Sequence, residues 1–344
     1  MSLDLLAPHP RPTRMLQVRE PLVDALGRRI THLGMAVSGR CPLGCRACSA
    51  RLAAAPATRP LGRRAAIRIL QAFTSLGICS VSLGGGDPLV RRDLEPLVAG
   101  LSPEVEGRVH LTTHGLTLAR RARGLREAGL ASVGIHLDAA TPEGFGRLHG
   151  RTGLGRVLAG VEAARRAGLR VHLRATVLKG WNEDQVVPLA RLALQEDLEL
   201  RLLECMPLGH PGWEPDAFLP ARTILQQLQA GLGDTLEEAG PLSLEEGPAR
   251  SFRRSGGPAR VCIVSNLEAD LCPSCTRMQI TPDGALMTCQ FSPAPVALLE
   301  ALRRTGTHGL LVQRIRDSLG GALACHPLRT REPWTAGTGW PVGG

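Results

Sequence analysis

Six of the ten cysteines in this 344-residue chain fall into two tight sets, and their spacing is its strongest chemical signal. The first set is Cys41-Pro-Leu-Gly-Cys45-Arg-Ala-Cys48, a CxxxCxxC run. Three thiolates on one short loop can hold three irons of a cubane and leave the fourth iron to a ligand that is not protein. Zinc is the alternative, although it usually takes four ligands and would have to recruit a distant one. The second set is Cys272-Pro-Ser-Cys275 followed by Cys289. Thr281-Pro-Asp-Gly284 lies between them as a turn signal, so a hairpin would return Cys289 to the side of the first pair. Zinc here would need a fourth ligand, for which Cys262, Cys325 or His326 is available. Cys79, Cys205, Cys262 and Cys325 stand alone, and the chain is too long and too regularly patterned for a small disulfide scaffold. A third feature is Gly84-Gly85-Gly86-Asp87-Pro88. Such a run is ordinarily a turn, but it also lets backbone groups come close to a ligand.

These features gain meaning from the elements that carry them. Short apolar or β-branched runs at 31–38, 78–83, 108–113, 132–138, 170–178 and 199–205 read as strands. Between them, 63–75, 116–128, 155–167 and 184–196 place apolar residues three and four apart, as helices do. Serial βα units make a parallel sheet with crossover helices, an open barrel or a doubly wound sheet. Either fold gathers functional loops at the carboxyl ends of its strands. The cysteine loop follows the first strand and the glycine loop the second, so the two would face each other across one shared cofactor site. The alternation stops near residue 232, and 239–260, rich in Gly, Pro, Ser and Arg, reads as a loop or linker.

Composition narrows the remaining classes. Hydrophobic residues make up 43%, enough for a sizeable core, and no apolar run nears the length needed to span a bilayer. The first residues lack the order of a signal peptide, so a cytoplasmic enzyme without a membrane partner is expected. The net charge of +10 does not by itself indicate nucleic acid. Lys179 is the sole lysine, tyrosine is absent, and the arginines are scattered along helices without the interleaved aromatics of a stacking site.

Over residues 30–230 the sequence resembles the radical S-adenosylmethionine (SAM) superfamily, whose CxxxCxxC and GGEP-type loops match Cys41, Cys45, Cys48 and Gly85-Gly86-Asp87-Pro88. The resemblance implies a partial (β/α)6 TIM-type barrel over 30–235, preceded by an N-terminal segment, 1–29. It also implies a [4Fe–4S] cluster whose open iron binds the methionyl amine and carboxylate of SAM. An electron from that cluster would release methionine and a 5′-deoxyadenosyl radical that abstracts a substrate hydrogen.

The tail is similar to one family within that superfamily, the GTP 3′,8-cyclases of molybdenum-cofactor biosynthesis. Their motif CxxCNRLRLTxDGxLxxC matches through Cys272, Cys275, Arg277, Thr281, Asp283, Gly284, Leu286 and Cys289. Leu26-Gly-Arg-Arg-Ile-Thr-His-Leu33 and Arg201-Leu-Leu-Glu-Cys-Met-Pro-Leu208 also resemble family segments. The resemblance implies a second [4Fe–4S] cluster in a C-terminal extension, 236–344, with an open iron toward the purine of GTP. The radical would take the ribose 3′ hydrogen, and the carbon radical would attack C8. By the same resemblance Gly85, Gly86, Asp87, Pro88, Thr113, His136 and Met206 would bind SAM, and Arg201, Arg277 and His172 the substrate. The terminal Gly343 and Gly344, otherwise an ordinary frayed end, would reach into the active site. An electron donor such as flavodoxin or ferredoxin and a homodimer are further implications.

The sequence departs from that family where it would bind the triphosphate. Gly34, Ser80, Ser82 and Gln279 stand in place of basic residues, and the family's Thr-Asn-Gly and Ser-Leu-Asp read Thr113-His114-Gly115 and His136-Leu137-Asp138. On strand five, His172 and Arg174 replace Lys and Asn. Each charged hydrogen bond contributes about 1.5–3 kcal/mol, so losing even three of these cations would weaken triphosphate binding by orders of magnitude unless other arginines compensate. Two alternatives follow, a divergent enzyme acting on a less phosphorylated nucleoside derivative and, from another class, a zinc-stabilised protein without catalysis. His114, His136 and His172 could line the altered pocket or be hydrogen-bonded core residues.

Overall fold

The computed structural model describes residues 21–45, 61–205, 217–233, 236–239, 249–254, 260–265, 274–289, 295–304 and 308–321. Six strands alternate with helices: β1 (His32–Ser38), α1 (Arg63–Thr74), β2 (Ser80–Gly85), α2 (Leu94–Leu101), β3 (Val109–Thr113), α3 (Ala122–Glu127), β4 (Leu130–His136), α4 (Pro142–His149), α5 (Leu154–Arg166), β5 (Arg170–Val177), α6 (Val186–Gln195) and β6 (Glu199–Glu204). All six strands are parallel and lie in sequence order, as right-handed βα crossovers require. After α7 (Ala221–Leu232) come β7 (Leu236–Ala239), β8 (Arg250–Arg254), β9 (Arg260–Val264), β10 (Arg277–Ile280), β11 (Ala285–Met287), β12 (Val296–Ala297), α8 (Leu298–Arg304) and α9 (His308–Asp317). The later strands extend the same sheet at both edges, β10 parallel to β1 and β9 parallel to β6.

The strands alternate strictly. Leu33, Met35, Val37, Val81, Leu83, Val109, Leu111, Val133, Ile135, Leu173, Leu200 and Leu202 are buried in the layer beneath the helices. The intervening residues face the other side, and they are polar or small: His32 and Gly34, Ser80 and Ser82, His110, Ser132 and Gly134, His172 and Arg174, Arg201. A flat sheet at about 4.8 Å per strand would separate β10 from β6 by about 29 Å. Yet Arg277 on β10 acts electrostatically on Arg174 of β5 and is itself affected by Arg201 of β6. The sheet therefore curls, and the polar face becomes the wall of an open barrel's lumen.

Two expectations need revision. The helix expected over 116–128 is broken into a 3-10 turn, Leu118–Arg120, and α3. Between them Arg121 is drawn away to the carbonyls of Leu89 and Arg91 and to Glu95. The span read as linker, 239–260, contains β8, whose Ser251 and Phe252 are buried against the sheet despite an arginine-rich, glycine-flanked sequence. Helices α2 and α4 were not anticipated; α4 has Thr141 accepting from the Gly144 amide at its N-cap, Pro142 in the first turn and left-handed Gly150 at its end.

Candidate functional site

The loops after β1 and β2 are locked together by their backbones. The amide of Gly86 donates to the carbonyl of Ser38 at 2.7 Å, and that of Asp87 to Arg40 at 2.8 Å. This approach demands glycine: a Cβ on Gly85, which also has φ +114°, would lie 2.2 Å from the Ser38 oxygen, and one on Gly86 2.5 Å from the Arg40 oxygen. Arg91 clamps the assembly by donating to the carbonyls of Val37 and Leu61. Cys41 follows Arg40 directly and is half-buried, while Cys45 is buried.

Asp87 is 1% exposed. Its Oδ1 accepts from the Leu89 amide at 2.9 Å and from the Thr113 hydroxyl at 2.7 Å, and its Oδ2 is buried without a hydrogen bond. Burial raises its pKa, partly offset by the Thr113 and backbone bonds. Pro88 opens the short 3-10 turn that presents the Leu89 amide. Thr113 also accepts from the Gly115 amide, so its hydroxyl is committed to holding Asp87 and the following turn.

Beside the cysteine loop stands a residue that the sequence did not single out. His149, 1% exposed at the end of α4, has Nδ1 2.9 Å from Cys45 Sγ. Its ring packs on Phe145 one turn earlier and edge-on to His114, which in turn lies 5.5 Å from the His136 ring. Burial brings His149 and His114 down to about 4 and lifts Asp138, whose Oδ2 is 4.0 Å from His149 Nε2, to about 6. The imidazole is thus neutral near pH 7, and with Cys45 as thiolate it donates from Nδ1.

The hairpin expected in the tail forms: β10 and β11 are antiparallel around Thr281–Gly284, where Gly284 takes φ +83°. Continuing that register puts Cys289 opposite Arg277, two residues from Cys275. Arg28, desolvated but paired with Asp24, has its pKa raised, with both Cys275 and Cys289 contributing, so the two sulfurs share one neighbourhood. Because β10 runs parallel to β1, Cys275 lies at the amino ends of the strands and Cys41 at the carboxyl ends. The seven residues of β1, at about 3.3 Å each, put about 20 Å between the two thiol sets. Cys48, Cys272, Met206, Gly343, Gly344, Cys325 and His326 lie outside the described residues.

The lumen connects these ends. His32 pairs with Ser80 and His110 with Ser132, each Nδ1 to Oγ at 2.7 Å and each between register partners on neighbouring strands. Their rings stack at 6.5 Å. Further along, His136, Arg174 and Arg201 occupy one row across β4, β5 and β6. His172 and Arg174 lean over Gly134, where a Cβ would come within 2.5 Å of His172 Nε2. Gly34, Ala36, Ser82, Gly84 and Gln279 line a small recess in the opposite wall.

Burial, with help from neighbouring cations, drives His32, His136 and His172 well below 6.5. An unfolded chain would bind protons at these rings first as pH drops, so their contribution is complete above about 6.5 and is lost progressively as pH falls below it. Asp138, with its raised pKa, acts in the opposite sense. Denaturant midpoints of metal-free protein should fall between pH about 7 and about 5, and His172→Gln should reduce that fall; an unchanged slope in the variant would refute a neutral His172.

Residues 35–193 match the Radical SAM superfamily and residues 198–322 the Molybdenum Cofactor Synthesis C family. A GTP 3′,8-cyclase of Rhodopseudomonas palustris (strain TIE-1) is 35% identical over 317 residues, 90% of each chain. The chain belongs to the GTP 3′,8-cyclase family of radical SAM enzymes. Another GTP 3′,8-cyclase, of Mycobacterium sp. (strain KMS), is 35% identical over 326 residues, 92% of each chain. In fold the family member is similar to Streptococcus suis SuiB bound to S-adenosylmethionine, with TM-score 0.62 and 16% identity over 85% of this chain and 67% of that one. Family membership implies a [4Fe–4S] cluster and SAM. The described residues fit both groups: Cys41 and Cys45 follow the loop that Gly86 and Asp87 lock in place, and the unbonded Asp87 Oδ2 suits an ammonium such as the methionyl amine. No described helix is long and apolar enough to cross a membrane.

Proposed function

We propose that this enzyme cyclises GTP at C3′ and C8 and holds two [4Fe–4S] clusters, one on Cys41, Cys45 and Cys48 and one on Cys272, Cys275 and Cys289. When bound, the first cluster and SAM would supply the electron and the 5′-deoxyadenosyl radical that takes hydrogen from the ribose. The chain's own residues do the rest. Gly85, Gly86 and Asp87 hold the methionyl end, with Thr113 fixing the carboxylate, while His136 and Met206 line the adenosyl side. His149 steadies Cys45. Arg201, Arg277 and His172 receive the nucleotide in the lumen, and Gly343 and Gly344 close on it. What supports this reading is that Cys41 and Cys45 lie toward one end of the polar lumen and Cys275 and Cys289 toward the other. A flavodoxin- or ferredoxin-type donor, a homodimer and a cytoplasmic setting complete the proposal.

Anaerobically reconstituted protein given SAM, GTP and a reductant should form 5′-deoxyadenosine and cyclised nucleotide in equal amounts. A colourless protein with stoichiometric zinc would refute the reading. The uncharged recess around Gly34, Ser82 and Gln279 favours a second reading, a less phosphorylated nucleoside substrate; cofactor cleavage elicited by that class but not by GTP would establish it.

A further inference from the structure

The lumen arginines are not equivalent. Arg201 is 3% exposed, and its Nε donates to Glu199 Oε1 at 2.6 Å, so a carboxylate matches its charge. Arg174 is its register partner on β5 and lies on the same face, yet it has no ion pair with any described carboxylate. Its Nε is shielded from water and makes no hydrogen bond. Arg277 on β10 also has a buried, unbonded Nε. The ionisable groups felt at Arg174 are Arg201 and Arg277, and its other lumen neighbours His136 and His172 are neutral. Burial and this company bring the Arg174 guanidinium down to about 9.

An unmatched guanidinium away from water is costly, and a fold tolerates it where an arriving anion supplies the missing partner. Position narrows the anion. The Arg174 side chain crosses β4 at Gly134, where a Cβ would lie 3.2 Å from its Cδ, and Arg201 and Arg277 both act on its guanidinium. The recess at Gly34, Ser82 and Gln279 carries no charge. The β5–β6 wall thus carries Arg174 and Arg201, Arg277 approaches them from β10, and the recess beyond Arg277 at Gly34, Ser82 and Gln279 adds no cation.

We infer that Arg174 is a specificity-determining residue that grips a phosphate group of the nucleotide from the β5–β6 wall, beside Arg201 and within the electrostatic reach of Arg277 on β10. The inference rests on the nucleotide reading above and adds to it where the phosphates lie. It offsets the missing cations at Gly34, Ser80, Ser82 and Gln279 by moving the anion contact across the lumen.

The test is equilibrium binding of GTP, guanosine and inorganic triphosphate to the cluster-loaded enzyme, its Arg174→Gln variant and its Arg174→Lys variant. Arg174→Gln should weaken GTP and triphosphate about 10–100-fold and leave guanosine unchanged, with Arg174→Lys recovering part of the loss. The ligand-free Arg174→Gln protein should melt no lower than wild type, because a buried like-charge contact is removed. Unchanged GTP affinity in Arg174→Gln overturns the inference, as does an equal loss for guanosine and GTP with a lowered Tm, which marks a structural residue. Arg174-dependent triphosphate binding without guanosine or GTP binding supports the anion site and defeats the guanine-nucleotide reading. GTP turnover with Arg174-independent affinity does the reverse.

Discussion

Replacing Cys289 by alanine should leave SAM cleavage running while nucleotide conversion stops, whereas Cys41→Ala should stop both. The geometry separates the two sets: Cys41 follows the carboxyl end of β1, and Cys289 closes the hairpin at the amino end of the parallel β10. With about 20 Å between them, loss of a ligand at one end does not remove the first coordination sphere at the other. Cys41→Ala should therefore lower 5′-deoxyadenosine formation by about two orders of magnitude or more, and Cys289→Ala should change it by no more than about threefold. Product nucleotide should fall about 100-fold or more in both. Chromatography of the adenosyl and guanine products, with iron content measured on the same samples, checks both arms. If Cys289→Ala loses cofactor cleavage as completely as Cys41→Ala, the thiol sets do not have separate roles.

Much of this was legible because it is periodic. The six parallel strands each carry an apolar run between helical patterns, and all six fell within about two residues of their expected positions. The turn at Thr281–Gly284 carries its own residue signature, so the hairpin followed from local chemistry. The facing of the cysteine and glycine loops followed from topology alone. What escaped was the lumen. Its wall is built by the alternate residues of strands whose helix-facing partners supply the visible pattern, so His32, His110, Ser80 and Ser132 look like interruptions of apolar runs. Reading period two within each strand would have put them on one face. His149 had no such signal: it meets Cys45 across 104 residues of chain, and only the packing of α4 brings them together. Strand β8, paired between β7 and β9, was hidden because Arg250, Arg253 and Arg254 flank a buried Ser251 and Phe252 and leave no apolar run to read.

Gly86→Ala should empty the SAM site of an otherwise folded protein. The added methyl would stand 2.5 Å from the Arg40 oxygen, 2.6 Å from its carbonyl carbon and 2.9 Å from its nitrogen. These are backbone atoms, so no rotamer relieves the contact; the two loops must part. Parting them breaks the Gly86–Ser38 and Asp87–Arg40 amide bonds and shifts Cys41, which follows Arg40 in the chain. Overpacking of this kind costs about 1–3 kcal/mol, too little to unfold a core of this size but enough to displace a loop held by two hydrogen bonds. Iron retained by the Cys41 set and SAM affinity should both drop by about tenfold or more, while Tm falls only a few degrees, by about 2–4 °C per kcal/mol. Gly39→Ala is the control, since a methyl there meets nothing within 4 Å although it lies in the same loop. Equal SAM affinity in the Gly86 and Gly39 variants, by equilibrium dialysis of the reconstituted proteins, would mean that the close approach of the two loops does not shape the cofactor site. A loss confined to Gly86 would tie the cluster loop and the methionyl cradle into one unit, with two backbone hydrogen bonds transmitting the position of one to the other.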